Sequence, residues 1–503
     1  MSYLALTDRH RRIAHLQHVE AIASWDEAAM MPAGGGESRA EALATLRVLS
    51  HELSCDPAQA ELISAAEAEA AAGALDSWQG ANLREIKRLF VRETALPGRL
   101  VQACSLAESK AEQAWRTLRP RNDLTAFLPL LTEVVALKRE VATALGASLQ
   151  LGLYDALLDG FEPGMRAATL DPLFADLRAY LPGFIQRAVE AQSLRPVHVP
   201  EGPFPIERQR WLGLTVMKRV GFDFAHGRLD VSHHPFCGGV PRDVRITTRY
   251  DEGDFTKSFM GVLHETGHAK YEQNLPPTWL DQPVGRARSM GIHESQSLLQ
   301  EMQISRSRAF LDFVAPLVRE AFPDLALASP AAFTAENLYR HYTRVRPDFI
   351  RVDADEATYP CHVILRYEIE RQLIEGTMEV NDIPAAWEAG MKDLLGLSVG
   401  NDHKNGCMQD VHWPAGLFGY FPTYTLGALA AAQLFAAAKR ALPALEGQIA
   451  AGEFTPLNQW LQRHVWGQGS RVSTTELMEG ATGAPLSAAA FKQHLQGRYL
   501  TGS

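Results

Sequence analysis

A chain of 503 residues, 46% hydrophobic and 21% charged, is long enough to bury a large core and to form more than one lobe. Its 49 basic and 59 acidic residues give a net charge of −10, and no long single-sign run suggests a nucleic-acid or membrane partner. Five cysteines, Cys55, Cys104, Cys237, Cys361 and Cys407, are odd in number, scattered and never spaced as CxxC, which fits a reduced, cytoplasmic location.

The N-terminal "MSYLALTDRHRRIAHLQ" becomes charged within eight residues, so no secretory signal is expected. Residues 3–190 are rich in Ala, Leu, Glu and Arg at helical spacing; in "EALATLRVLSHEL", Leu43, Leu46, Leu49 and Leu53 fall on one stripe. Helix-poor breaks occur at Met30 to Ser38 and at the proline-rich Arg195 to Glu207. The second break divides one unit, 1–503, into two helical lobes, 1–195 and 207–503. "GRLDVSHHPF" and "DVRITTRY", separated by "CGGVPR", predict a hairpin, with Val244, Ile246 and Thr248 alternating. The apolar window from Leu426 reaches Lys439 and Arg440 before the roughly 20 residues needed to span a bilayer, and is predicted to be a buried helix. The chain is therefore expected to be mainly α.

The chemistry concentrates in "GVLHETGHAKYEQNL", Gly261 to Leu275. Asp251, Glu252 and Asp254 favour a helix start, Phe255, Phe259, Val262 and Leu263 give it a core face, and Pro276 with Pro277 stop it. His264 and His268 then project one turn apart, as two imidazoles on one tetrahedral Zn²⁺ require. Glu265 points past the metal, as a general base that moves a proton from water to the leaving amine. HExxH also arises by chance, so a third ligand must support it. A metzincin would need glycine and histidine where the chain has Tyr271 and Asn274. The alternative is a glutamate from a following helix, and Glu294 in "SMGIHESQSLLQEMQ" supplies it 26 residues after His268. His293 beside it is a partner for a ligand or a structural histidine.

These residues resemble the M32 metallocarboxypeptidases of the carboxypeptidase Taq type. The resemblance covers most of the chain and rests on ordered motifs: "WDEAAMMPAGG" from Trp25, "HPF" from His234, "DVRIT" from Asp243, HETGH, "HESQS" from His293, "IRVDAD" from Ile350 and "GCMQDVHW" from Gly406. It implies a gluzincin-type helical fold with a deep substrate groove, similar to neurolysin and angiotensin-converting enzyme, with one small hairpin or sheet beside the site. It also implies a homodimer that removes single C-terminal residues from peptides with broad tolerance, using one zinc per chain, with cobalt an acceptable substitute. Two departures stand out: Leu298 to Met302 replaces a segment like Arg-Leu-Trp-Glu-Asn, and Asn274 stands where glycine is usual, a mild change if the helix ends left-handed.

A carboxypeptidase needs a cation for the substrate carboxylate, and Arg245 and Arg351 are the candidates within motifs. Their bland alternatives are a pairing across the hairpin for Arg245 and a bridge to Asp353 or Asp355 for Arg351. An extended substrate can also pair with a sheet edge through its backbone. For the oxyanion, "QDVHWPAGLFGYFPTY" offers His412, Tyr420 and Tyr424, of which His412 and Tyr420 are preferred. His234 is a further substrate contact or a turn residue. The rival readings are an oligopeptidase of the same fold and a catalytically silent zinc-binding scaffold.

Overall fold

The computed structural model describes residues 2–501. These are mostly helical, from Ser2–Ala29 at the N-terminal end to Ala489–Gln496 near the other, with one three-stranded sheet. They form two compact units, each drawn from three stretches. The first takes residues from 2–93, 197–342 and 430–486, and the second from 94–196, 343–429 and 487–501. The stretches 1–195 and 207–503 each contribute to both. No single described helix is long and apolar enough to cross a bilayer, although the helices Leu124–Leu149 and Leu153–Phe161 meet that test as a pair bent by 84°. The apolar window from Leu426 lies in helix Pro422–Ala441, with Leu429 and Leu434 fully buried.

In the first unit, the leucine stripe of helix Gly36–Ser54 is only partly covered: Leu43 is buried, while Leu49 is 44% exposed. The two segments expected to form the arms of one hairpin run parallel instead. "CGGV", read as a turn, is itself strand β2 (Cys237–Val240), antiparallel to β3 (Asp243–Thr248). β1 (Gly227–Val231) lies on the other side of β3 and runs parallel to it, giving the order β1-β3-β2. The tight β2–β3 connection depends on Gly239 at φ +82°, where a Cβ would lie 2.1 Å from the Asp243 carbonyl oxygen. The sheet packs on the HETGH helix through a shared core of Leu229, Val244, Ile246, Val262 and Ala269.

The HETGH helix spans Phe255–Gln273 and starts where the Asp254 carboxylate accepts the Thr256 N–H at 2.9 Å. Phe255, Phe259, Val262 and Leu263 are buried, so the expected core face is the observed one. Asn274 closes the helix at φ −113°, outside the left-handed region, so the backbone there does not call for glycine.

Candidate metal centre

Burial of the apolar face of the HETGH helix turns His264 and His268 toward a second helix, Met290–Leu298, capped by the Ser289 hydroxyl. Gly267 lets the two backbones approach: a Cβ there would sit 2.4 Å from the Gln296 carbonyl oxygen and 2.6 Å from Ser297 Cα. This close approach brings Glu294 Oε2 to 3.3 Å from His268 Nε2 and 4.0 Å from His264 Nε2. A tetrahedral cation with bonds of about 2.0–2.2 Å to nitrogen and oxygen spaces its ligands by about 3.3–3.6 Å. The donor set His264, His268 and Glu294 therefore fits a divalent metal, all within 4.8 Å of one another.

Each imidazole is aimed from behind. His264 Nδ1 donates to Glu301 Oε2 at 2.9 Å, and the other oxygen of Glu301 accepts from Arg306. His268 Nδ1 meets His293 Nδ1 at 2.7 Å, and His293 Nε2 meets Glu272 Oε1 at 2.7 Å. One tautomer set satisfies this chain: His268 donates from Nδ1, His293 accepts at Nδ1 and donates from Nε2 to Glu272. Both ligand candidates then present a bare Nε2 to the same point. His293 is thus hydrogen-bonded between His268 and Glu272. Glu272 and Glu301 were missed by the sequence reading. Glu301 lies in the segment that departs from the family pattern, which folds as a π-helix over Leu299–Ser305, and its i+5 register has no signature in residue order.

The electrostatics favour a cation. Burial works against charge on His264, but the Glu301 hydrogen bond and the Glu294 and Glu265 carboxylates raise it to about 10. Burial likewise opposes charge on Glu294, yet its hydrogen bond to His268 and the two imidazoles hold it down to about 2. Burial pushes Glu265 up to about 7, within the range where a carboxyl both takes and returns a proton near neutrality. The His264 and His268 side chains are 23% and 14% exposed, so water reaches the donors.

The remaining predicted residues fall in two places. In the first unit, Arg245 on β3 forms two 2.8 Å hydrogen bonds to Asp243 on its own strand, not a pair across the hairpin. Its guanidinium lies 4.4 Å from the Trp25 ring centroid, which gives the N-terminal Trp-Asp motif its place. His234 is exposed in the β1–β2 connection, where its carbonyl accepts the Ser232 hydroxyl at 2.6 Å.

The second unit gathers Arg351, His412 and Tyr420. Arg351 is buried and bonds Asp410 rather than Asp353 or Asp355, through Nε at 3.0 Å and Nη2 at 2.9 Å. Its backbone N–H donates to Gln409 Oε1 at 2.8 Å, so "IRVDAD" and "GCMQDVHW" lock together. Arg366, absent from the sequence reading, is fully buried and bonds the other oxygen of Asp410 at 2.6 Å. Burial alone would raise Asp410, but the two guanidiniums hold it well below the usual carboxylate range. His412 Nε2 pairs with Tyr424 Oη at 2.9 Å, and burial with the nearby Arg351 lowers its pKa to about 3, so the ring is neutral. Tyr420 packs 5.6 Å from that ring, centroid to centroid.

The sequence matches the family model for carboxypeptidase Taq (M32) metallopeptidases over residues 5–499. It is 41% identical over 506 residues to thermostable carboxypeptidase 1 of Thermus thermophilus, covering 99% of this chain and 98% of that one. It is 34% identical to carboxypeptidase 1 of Bacillus subtilis, covering 98% and 97%. Among solved structures, Trypanosoma cruzi metallocarboxypeptidase 1 superposes with a TM-score of 0.96 at 43% identity, covering 99% of each chain. The M32 carboxypeptidase of Deinococcus radiodurans superposes with a TM-score of 0.92 at 35% identity, covering 99% of this chain and 98% of that one. The chain belongs to the carboxypeptidase Taq (M32) metallopeptidase family of metallocarboxypeptidases.

Proposed function

We propose that this protein is a zinc carboxypeptidase that releases single residues from peptide C-termini, with His264, His268 and Glu294 as the metal ligands. The convergence of those three donors beside Glu265 carries the reading. Zinc bound there would supply Lewis acidity to the scissile carbonyl and lower the pKa of the attacking water. Glu265 takes a proton from that water as its oxygen bonds to the carbonyl carbon, and returns the proton to the amine as the C–N bond breaks. Glu301 and the His293–Glu272 pair hold the Nδ1 protons of His264 and His268, so Nε2 is the nitrogen each ring would offer a metal, which on His264 would displace a proton. Cobalt is an alternative metal, since the same donors accept it.

Within the second unit, we assign the substrate carboxylate to Arg351 and the oxyanion to His412 with Tyr420. Arg351 and Arg366 share one carboxylate, Asp410, which leaves that trio with excess positive charge; Arg245 and Asp243 form a neutral pair. Broad side-chain tolerance would follow from backbone pairing of an extended substrate with an outer strand of the sheet. We also propose a cytoplasmic homodimer, to be checked by cell fractionation and by light scattering of the purified protein.

The deciding experiment is digestion of free and C-terminally amidated peptides, read by mass spectrometry with metal analysis of the same sample. A ladder shortening by one residue from the free C-terminus, abolished in Glu265→Gln with metal retained, is expected. Internal fragments, or cleavage of amidated peptides, would instead establish an oligopeptidase. Absence of any hydrolysis by the zinc-loaded wild type would leave a scaffold.

A further inference from the structure

The first unit holds another mixed donor cluster, formed by His51, Cys55 and Glu93. His51 lies in the last turn of helix Gly36–Ser54, and Cys55 is the capping residue, its N–H bonded to the His51 carbonyl at 2.8 Å. The i, i+4 spacing puts both side chains on one face, with Cys55 Sγ 3.6 Å from His51 Nδ1. Glu93 arrives from the last turn of helix Ser77–Thr94, and one ligand atom from each of the three lies within 4.8 Å of the others.

Three observations point to a ligand. A tetrahedral zinc with bonds of about 2.3 Å to sulfur and about 2.0–2.1 Å to nitrogen sets those two atoms about 3.5–3.6 Å apart, the separation found here. The Glu93 carboxylate is hydrogen-bonded by the Ser54 side chain, but its Oε2 is buried with no hydrogen-bond partner, a costly arrangement for a carboxylate oxygen. Both helices end at this point, so their C-terminal dipoles disfavour a thiolate and a carboxylate unless a cation sits among them. Arg286 is a charged neighbour of Glu93 from outside these helices, and its guanidinium also donates to Gln17.

We propose that His51, Cys55 and Glu93 form a second divalent-metal site, separate from the His264–His268–Glu294 centre. A thiolate, an imidazole and a carboxylate select zinc, cobalt or cadmium over magnesium or calcium. Binding releases the Cys55 proton to solvent, and two anionic ligands then neutralise the dication. The exposed His51 leaves a coordination position for water. Because the ligands come from two helices, the ion ties the end of Gly36–Ser54 to the end of Ser77–Thr94.

The test is cobalt titration of the chelator-stripped full chain, with metal counted per chain after desalting and the thiolate-to-cobalt charge-transfer band followed in the near ultraviolet. Two equivalents are expected, one of them bringing the band. In Cys55→Ser, the band and one equivalent should disappear while the peptide ladder persists. Should that variant fold poorly, His51→Gln keeps the thiol and should weaken the band-forming equivalent by about tenfold or more. A wild type without a thiolate band, a band that survives Cys55→Ser, or identical titrations of wild type and His51→Gln would each overturn the proposal.

Discussion

His268 Nδ1 lies 2.7 Å from His293 Nδ1, and this contact fixes which nitrogen of His268 faces Glu294. Replacing His293 with alanine frees the His268 ring to rotate and to exchange tautomers. Metal affinity should fall about 10- to 100-fold, read by competition with a chromophoric chelator. Unchanged affinity would mean that His293 only fills space.

Gly267 is the point where the HETGH helix meets the helix carrying Glu294. Gly267→Ala drives a methyl into the Gln296 carbonyl and must push the helices apart. The expected cost is about 1–3 kcal/mol in denaturant unfolding, accompanied by weaker metal binding as Glu294 moves away. Full stability with full metal affinity would show that the helices shift freely.

Asp410 is the shared anion of Arg351 and Arg366. Asp410→Asn leaves two buried guanidiniums without it and should cost about 3–5 kcal/mol at neutral pH. The folded pKa of Asp410 lies below its unfolded value of about 4, so its contribution is complete above pH 4 and is lost as pH falls toward the folded value. The stability gap between wild type and Asp410→Asn should therefore be constant from pH 7 to about 5 and narrow below about 4. A gap that narrows between pH 7 and 5 would contradict the ion-pair account.

Arg351→Lys keeps a charge but loses the planar fork. If Arg351 holds the substrate carboxylate, KM for free-carboxylate peptides should rise about tenfold or more, with a smaller change in Arg245→Lys. The reverse order would assign the carboxylate to Arg245. Peptide titrations of both variants, with kcat and KM separated, distinguish the two.

Much of the candidate metal centre was legible because helix periodicity is local. His264, Glu265 and His268 occupy one helix, and the separation to Glu294 is readable once that helix is known. Glu272 and Glu301 were not, because whether a carboxylate touches an imidazole depends on how two helices cross and on the wider turn of a π-helix. The "CGGV" strand was hidden for a similar reason: glycine-rich sequence reads as a turn until β3 is there to pair with it.

By itself, then, the sequence determined the helical character, the HETGH donors, the family, and the motifs holding Arg245 and Arg351. Only the tertiary structure decided the partners of those arginines, Asp243 for one and Asp410 with Arg366 beside it for the other. The physical reason is range: capping, periodicity and turn chemistry act over a few residues along the chain. Charge pairing acts over a few ångströms in space and brings together residues as far apart in sequence as Arg351 and Asp410.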